Sequence, residues 1–173
     1  MRLLLVVGTL ALAGCQSAMQ QSPGEAPRAT AQLKPTQGNK ALGEVSFEQT
    51  GDGVRVLAIV NHLRPGNHGF HIHEKGDCSA PDAMSAGGHF NPTGQPHGSP
   101  AGGAHHAGDL PMLVADKKGK AKLDATVPGL TVASGANSIV GRAVVVHADP
   151  DDYQSQPAGN SGARVACGVV QPG

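Results

Sequence analysis

Histidine is concentrated in one part of this chain. Most of the nine histidines lie between residues 62 and 106, and the segment 79–108 also contains seven glycines and four prolines. A segment of this length without regular structure is uncommon in a compact domain, so something must order it. A disulfide bond and a bound metal ion are the two obvious candidates.

The sequence around this segment has the pattern of β-strands. Val45 and Phe47 alternate with polar residues, and a turn signal at 51–53 separates them from a β-rich run, which predicts a hairpin. A second hairpin turns at Lys118-Gly119, and no segment carries a helical stripe of about 11 or more residues. The predicted strands lie at 44–48, 54–60, 70–73, 110–115, 120–127, 139–147 and 165–170. Short strands between turn signals favour an all-β sandwich or barrel.

The beginning of the chain has the form of a targeting segment. Arg2 and the apolar run at 3–13 are typical of a secretory signal, and the run is too short to span a bilayer, which needs about 20 residues. The motif Leu12-Ala13-Gly14-Cys15 resembles the bacterial lipobox. It implies a lipoprotein signal peptide at 1–14 and a lipid on Cys15. An ordinary signal peptide followed by a chance cysteine is the alternative.

Residues 15–40 are rich in Gln, Ala, Ser and Pro and show neither helical nor strand periodicity. We therefore expect a flexible tether between Cys15 and a single folded domain at 41–173. An acylated terminus would hold the domain at a membrane surface without a transmembrane helix. The predicted location is the bacterial cell envelope, lipid-anchored to a membrane and facing the periplasm.

Charge and aromatic content argue against one class of partner. The 13 lysines and arginines balance 13 aspartates and glutamates, and the chain has no tryptophan, one tyrosine and three phenylalanines. A nucleic-acid-binding protein usually has a basic excess or aromatic side chains on which bases stack. We therefore expect no nucleic-acid partner.

The histidines are spaced as metal ligands. His71 and His73 are two residues apart on a predicted strand, so both imidazoles point to one face and can reach one ion. Imidazole suits zinc and copper, and a carboxylate can complete a tetrahedral zinc site. Seven potential ligands make a binuclear site plausible: His71, His73, His89, His97, His106, Asp109 and His147. A surface histidine pair and a His-rich loop that scavenges metal non-specifically are the alternatives.

Two cysteines remain once Cys15 is assigned to the lipid. Cys78 and Cys167 are an even pair in an exported protein, for which a structural disulfide is the default interpretation. A Cys–His nucleophile pair is the alternative. It is disfavoured, because oxidation would consume the thiol and no oxyanion-hole motif accompanies it.

Four motifs in order resemble one family. Gly69-Phe70-His71-Ile72-His73-Glu74-Lys75-Gly76-Asp77-Cys78 resembles the first signature of the copper/zinc superoxide dismutases, and Gly159-Asn160-Ser161-Gly162-Ala163-Arg164-Val165-Ala166-Cys167-Gly168-Val169 resembles the second. Gly88-His89-Phe90-Asn91-Pro92 and His106-Ala107-Gly108-Asp109 match the segments between them. The resemblance runs from about residue 40 to 170. It implies an all-β, eight-stranded Greek-key β-barrel or sandwich with long metal-binding loops.

The resemblance also implies a role for each matching residue. The copper ligands would be His71, His73, His89 and His147, and the zinc ligands would be His89, His97, His106 and Asp109. His68 and Asp151 match residues that support the ligands by hydrogen bonds, and Arg164 matches the guanidinium beside the copper. His105 neighbours His106, which leaves two registers open. The family spacing of three residues before the aspartate favours His106.

The implied activity is the dismutation of superoxide to dioxygen and hydrogen peroxide. One copper and one zinc per subunit would serve as cofactors, with His89 as the zinc-supported bridging histidine and Arg164 attracting the anion. The alternative is a non-catalytic copper- or zinc-binding envelope protein, a metal buffer or chaperone on the same fold. The complete set of seven ligands with Arg164 argues for catalysis. Monomer and homodimer both stay open, because family members pair through different faces.

Overall fold

Buried and more exposed side chains alternate along the central strands of this protein. In β3 (Gly53–Asn61) every second residue from Val54 to Val60 is buried, while Arg55 and Ile59 point outward. The neighbouring strand β2 (Leu42–Thr50) buries Val45 and Phe47 in the same register. Alternation of this kind gives each strand one apolar face, which must be covered by the opposite wall of the fold.

A computed structural model describes residues 26–173 and shows an all-β protein. Over this range, no helix has the length and apolar character needed to cross a membrane. The other elements are β1 (Arg28–Pro35), β4 (Gly66–His68), β5 (Phe70–His73), a 3-10 turn at Met84–Ala86, β6 (Leu113–Ala115), β7 (Ala121–Val127), β8 (Ala143–His147), β9 (Arg164–Val169) and β10 (Gln171–Pro172).

The strands form one antiparallel sheet that curves until it nearly closes into a barrel. Its order is β4-β6-β7-β3-β2-β1-β9-β8-β5, with β10 paired to β1. The strands at the two ends of this order, β4 and β5, are consecutive in the chain and are separated by Gly69. A Cβ atom at Gly69 would lie 2.6 Å from Ser161 Oγ, so only glycine fits where the chain passes from β4 to β5. The chain itself therefore joins the two ends of the sheet.

The interior holds two apolar clusters of unequal size. The larger fills the barrel and includes Val45, Phe47, Val54, Val56, Phe70, Ile72, Leu110, Leu113, Ile139, Val144 and Val146. The smaller lies on the other face of β8 and β9 and includes Ala83, Ala86, Ala143, Val145 and Cys167. Strand β8 is therefore buried on both faces, which explains its three consecutive valines.

The long segment after β5 is held against the barrel by a disulfide and by backbone pairing. Cys78 is bonded to Cys167 on β9, with Cα atoms 5.8 Å apart, which confirms the predicted disulfide. Phe90 N donates to Ile72 O at 2.8 Å, and Ile72 N donates to Gly108 O at 2.9 Å. Residues near 90 and 108 therefore lie beside β5, so the segment brings its histidines to those of the strand.

The predicted boundary between tether and domain is wrong. Residues 28–35, assigned to the tether at 15–40, form β1, which lies between β2 and β9 in the sheet. Its inward residues Ala29, Ala31 and Leu33 are buried in the barrel core. Two of these three are alanines, whose small apolar surface gives a weak alternation signal in a polar, proline-containing stretch. The signal peptide at 1–14 and Cys15 lie outside the described residues.

The strand count and the starts of two predicted strands also differ from prediction, and the first of these is β6, which begins at Leu113 instead of 110. Residues 26–173 contain ten strands where eight were expected, because Gly69 divides one run into β4 and β5 and because β10 is two residues long. Strand β8 begins at Ala143 instead of 139. Gly141 has φ 78°, a left-handed conformation that ends an extended strand, so Ile139 belongs to the preceding turn.

Candidate metal centre

Strands β5 and β8 position three histidines at one edge of the barrel. His71 and His73 lie on β5 and are both buried, and His147 ends β8. The β8–β9 register shifts between Val146 and His147, so a β-bulge falls at His147. Bulges re-aim side chains, and here the bulge accompanies a turn of the His147 imidazole toward those of β5.

Four imidazoles converge on one point. His71, His73, His89 and His147, here called the first ligand group, each place one ring nitrogen within 4.8 Å of the others. Four buried side-chain atoms lack a hydrogen-bond partner in the described chain, and they are His71 Nδ1, His73 Nε2, His89 Nε2 and His147 Nε2. Buried polar atoms are rarely left without a partner. All four belong to this group, so the arrangement fits a metal ion that would accept their lone pairs.

Hydrogen bonds to the opposite ring atoms determine which nitrogen carries the lone pair. His73 Nδ1 lies 2.9 Å from Gly87 O, and His147 Nδ1 lies 3.2 Å from Gly162 O. A carbonyl oxygen can only accept, so both Nδ1 atoms donate and both Nε2 atoms keep a lone pair. His71 is reversed, because its Nε2 lies 2.6 Å from Asp151 Oδ2 and its Nδ1 faces the group.

Burial keeps three of these imidazoles neutral, those of His71, His73 and His147. It lowers the pKa of His71 and of His73 well below the ordinary value of 6.5. It also lowers the pKa of His147 to about 4. Neutral imidazole is the form that binds metal ions, so His71, His73 and His147 are competent ligands at neutral pH.

A second cluster adjoins the first. His89, His97, His106 and Asp109, here called the second ligand group, also have ligand atoms within 4.8 Å of one another. Asp109 Oδ1 lies 2.9 Å from His89 Nδ1, 3.0 Å from His97 Nδ1 and 3.5 Å from His106 Nδ1. Its Oδ2 accepts from the backbone N–H groups of Gly98 and His106. Three nitrogens and one carboxylate fit a tetrahedral zinc site.

The Asp109 carboxyl is held in its charged form. Burial alone would raise its pKa, but hydrogen bonds from His89, Gly98 and His106 and the charge of His97 lower it more, so the net pKa is well below 3.8. An ionised carboxylate among three imidazoles supplies the negative charge that a divalent cation requires.

His89 belongs to both groups. Its Nδ1 faces Asp109 in the second ligand group, and its Nε2 is the unpartnered nitrogen that faces the first. Its ring lies on that of His71, with centroids 3.9 Å apart. One imidazole therefore separates two adjacent metal-binding positions, which is the geometry expected of a bridging ligand.

Asp151 connects the groups a second time. One carboxylate oxygen, Oδ2, accepts from His71 Nε2 at 2.6 Å, and the other, Oδ1, accepts from His97 Nε2 at 2.9 Å. The backbone N–H of Tyr153 donates to Oδ1 at 2.7 Å. A buried carboxylate thus fixes the orientation of one imidazole from each group, as the resemblance implied for this position.

Arg164 reaches the edge of the first ligand group. Its guanidinium donates to Ala83 O and Gly87 O, both at 2.6 Å. The Gly87 carbonyl also accepts from His73 Nδ1, so one oxygen connects the guanidinium to a ligand histidine. Burial lowers the pKa of Arg164 from 12.5, and a guanidinium remains charged at neutral pH after such a shift.

The remaining histidines take no place in either group. His68 contacts two carbonyl oxygens, with Nδ1 2.7 Å from His147 O and Nε2 2.8 Å from Arg64 O, which supports the backbone at His147. His105 is half-buried and contacts His106 O, and His62 is exposed. The structure therefore favours His106 over its neighbour as the ligand.

Several contributors to the centre were absent from the sequence prediction. The carbonyls of Gly87 and Gly162 act through the backbone, so no side chain signals them. The Gln156 side chain bonds both backbone groups of His97: its Oε1 accepts from His97 N and its Nε2 donates to His97 O, both at 2.9 Å. The thioether of Met112 accepts from Asp151 N at 3.3 Å. None of these contacts has a characteristic spacing in the sequence.

Known proteins are similar to this chain over most of its length. The family described as copper/zinc superoxide dismutase matches residues 41–170. A relative named Cu-Zn superoxide dismutase 2, from Aquifex aeolicus (strain VF5), is 39% identical over 165 residues, which is 92% of this chain and 96% of the relative. A solved structure titled as that of the clock protein EA4 has a TM-score of 0.77 and 39% identity, covering 88% of this chain and 99% of that chain.

Proposed function

Since the chain belongs to the copper/zinc superoxide dismutase family and catalyses the dismutation of superoxide, we propose that its two ligand groups divide the two metals between them. The first ligand group would hold copper and the second would hold zinc, with His89 between the two ions. Four nitrogen donors suit copper, and a set that includes a carboxylate suits zinc. The observation that carries this assignment is the convergence of four unpartnered, buried imidazole nitrogens on one point.

The reaction converts two superoxide anions and two protons into dioxygen and hydrogen peroxide. Bound copper would supply the one-electron oxidation and reduction. When copper does not occupy His89 Nε2, that atom is positioned to hold a proton, because its Nδ1 edge remains engaged in the second ligand group. We assign to that atom the delivery of a proton to the peroxide product.

Arg164 is proposed to attract and orient the anionic substrate. A guanidinium has five N–H donors, and Arg164 uses two of its nitrogens to bond the carbonyls of Ala83 and Gly87. Donors remain for an anion beside the first ligand group. Replacing Arg164 with Ala should slow dismutation and flatten its dependence on ionic strength, because a steering charge is removed. The lysine variant should keep part of the salt dependence, whereas an unchanged rate in both variants would limit Arg164 to a scaffold role.

The decisive experiment measures metal content and dismutation on the same sample. Protein loaded with copper and zinc should contain about one of each ion per chain, and a chelator that removes the copper should abolish activity. Two bound metals without turnover would instead support a metal buffer or chaperone and would direct attention to Arg164.

Lipid anchoring is proposed from the sequence motif that ends at Cys15. The mature protein would begin at Cys15, carry a lipid there and lie in the bacterial cell envelope, facing the periplasm. Mass spectrometry of the mature terminus and membrane fractionation of the Cys15→Ala variant test this. A Cys15→Ala protein that stays in the membrane fraction would contradict the proposal. Sedimentation velocity distinguishes the two predicted oligomeric states, monomer and homodimer.

A further inference from the structure

A methionine sulfur takes part in the hydrogen bonding that supports the metal centre. Met112 is half-buried, and its Sδ atom accepts the backbone N–H of Asp151 at 3.3 Å. Thioether sulfur is a weak acceptor, so it is an unusual partner for a backbone N–H that holds a functional carboxylate. Neither the ligand assignment nor the proposed reaction uses this sulfur.

Met112 is tied to the same loop by a second bond. Its backbone N–H donates to Tyr153 Oη at 3.1 Å, and the backbone N–H of Tyr153 donates to Asp151 Oδ1 at 2.7 Å. Tyr153 has φ 57°, a left-handed conformation that non-glycine residues rarely adopt. Three residues thus form a closed set of contacts, and an unfavourable backbone conformation within it is held by the contacts themselves.

The centre depends on this set through the Asp151 carboxylate. Asp151 orients His71 from the first ligand group and His97 from the second, as described above. A Cβ atom at Gly159 would overlap Asp151 Oδ1, so the carboxylate is closely enclosed. A displacement of the Asp151 backbone would therefore change both imidazole orientations.

We propose that Met112 is a peroxide-sensitive modification site that couples accumulated product to metal retention. Hydrogen peroxide transfers one oxygen atom to the thioether, so that the O–O bond breaks, an S=O bond forms and water leaves. Sulfur is oxidised by two electrons and peroxide is reduced by two. The proposal rests on the dismutation activity as the source of peroxide.

Oxidation would change the contact that Met112 makes. Oxidation adds an oxygen atom to the sulfur, and this oxygen is a stronger hydrogen-bond acceptor than the thioether. The distance of 3.3 Å between Sδ and Asp151 N leaves no space for an atom between them. Asp151 must then shift, which weakens its hold on His71 and His97. Loss of an outer hydrogen-bond partner typically lowers metal affinity about 10- to 100-fold, and we expect a loss near the lower end of this range.

The chain contains a matched control. Met84 is 59% exposed, more accessible than Met112, and its side chain makes none of the hydrogen bonds found at the centre. Peroxide should oxidise both methionines, but oxidation of Met84 should leave the metals in place. Comparison of M84L with M112L therefore separates metal loss caused by oxidation of Met112 from metal loss caused by oxidation elsewhere in the protein.

The test uses the full chain loaded with zinc alone, so that copper chemistry with peroxide does not contribute. Peptide mass spectrometry would follow the sulfoxide at each methionine, and a zinc-binding dye would follow zinc release. Wild type and M84L should lose zinc about 10-fold faster after peroxide treatment. M112L should show no such increment, and methionine sulfoxide reductase should restore zinc retention in wild type.

Three outcomes would overturn the proposal. Met112 could stay unoxidised while Met84 is fully converted, Met112 could be oxidised with no change in zinc release, or M112L could keep the increment. Because peroxide is added and no superoxide is used, each of these outcomes is independent of whether the proposed catalytic roles hold.

Discussion

At the residue scale, the centre is determined by what each imidazole does with its second nitrogen. His73 and His147 donate Nδ1–H to backbone carbonyls, whereas His71 donates Nε2–H to the Asp151 carboxylate. The remaining nitrogens are then left with lone pairs that point at one another. The ligand set is thus prepared by hydrogen bonds made outside it.

Removal of one imidazole should separate the two metal sites. His147 belongs to the first ligand group and not to the second. Replacing His147 with Ala should lower copper affinity by more than about 100-fold, beyond the range typical of outer hydrogen-bond partners, and abolish dismutation while one zinc remains. Elemental analysis with an activity assay checks this. The exposed His62→Ala serves as the control, and a variant that keeps its copper would exclude His147 from the copper site.

The side-chain ligands of the centre could be predicted from the sequence, but the backbone groups that orient them could not. The seven ligand candidates are residues of the right type, and the structure brings them into two groups. The Gly87 and Gly162 carbonyls and the Met112 sulfur are selected by how the loops fold back, which local spacing does not encode.

At the element scale, β1 completes the sheet between β2 and β9, although the family match begins after it. It pairs with β2 from Arg28 to Leu33 and with β9 at Lys34 and Pro35. Without β1 the sheet would have two unpaired strand edges and an opening into the core. The sequence pattern does not predict this strand because its inward alanines match the composition of a linker, whereas the alternating valines of β3 predict a strand clearly.

Truncation tests this role directly. A chain that begins at residue 41 should lack a cooperative thermal transition and should aggregate, because β2 and β9 lose their common partner. A chain that begins at residue 26 is the control and should melt cooperatively. Circular dichroism with size-exclusion chromatography distinguishes the two, and equal melting temperatures would refute an essential β1.

At the scale of the whole molecule, the buried histidines make the metal-free protein sensitive to acid. The pKa of His147 is about 4 in the folded state and near 6.5 when unfolded, so between these values the unfolded chain binds more protons. Stability therefore falls as pH decreases from about 6.5 to 4. The difference corresponds to about 3 kcal/mol from His147, and His71 and His73 act in the same direction.

Urea unfolding of the metal-free protein between pH 7 and 4 measures this loss. The lowered pKa of Asp109 adds stability that is lost only below about pH 4, so it should not contribute within that window. His147→Gln should flatten part of the dependence. A free energy of unfolding that stays constant across the window would show that the histidines are protonated without cost in the folded state.

The two oxygens of Asp151 have a thermodynamic consequence for loading. Oδ2 orients His71 of the first ligand group and Oδ1 orients His97 of the second. An ion that orders the carboxylate from one site therefore also orders it for the other. Free energies around a closed cycle must sum to zero, so zinc changes the copper affinity by the same factor by which copper changes the zinc affinity. The order in which the two ions bind can change the rate of maturation, but it cannot change the total free energy with which the protein binds both ions.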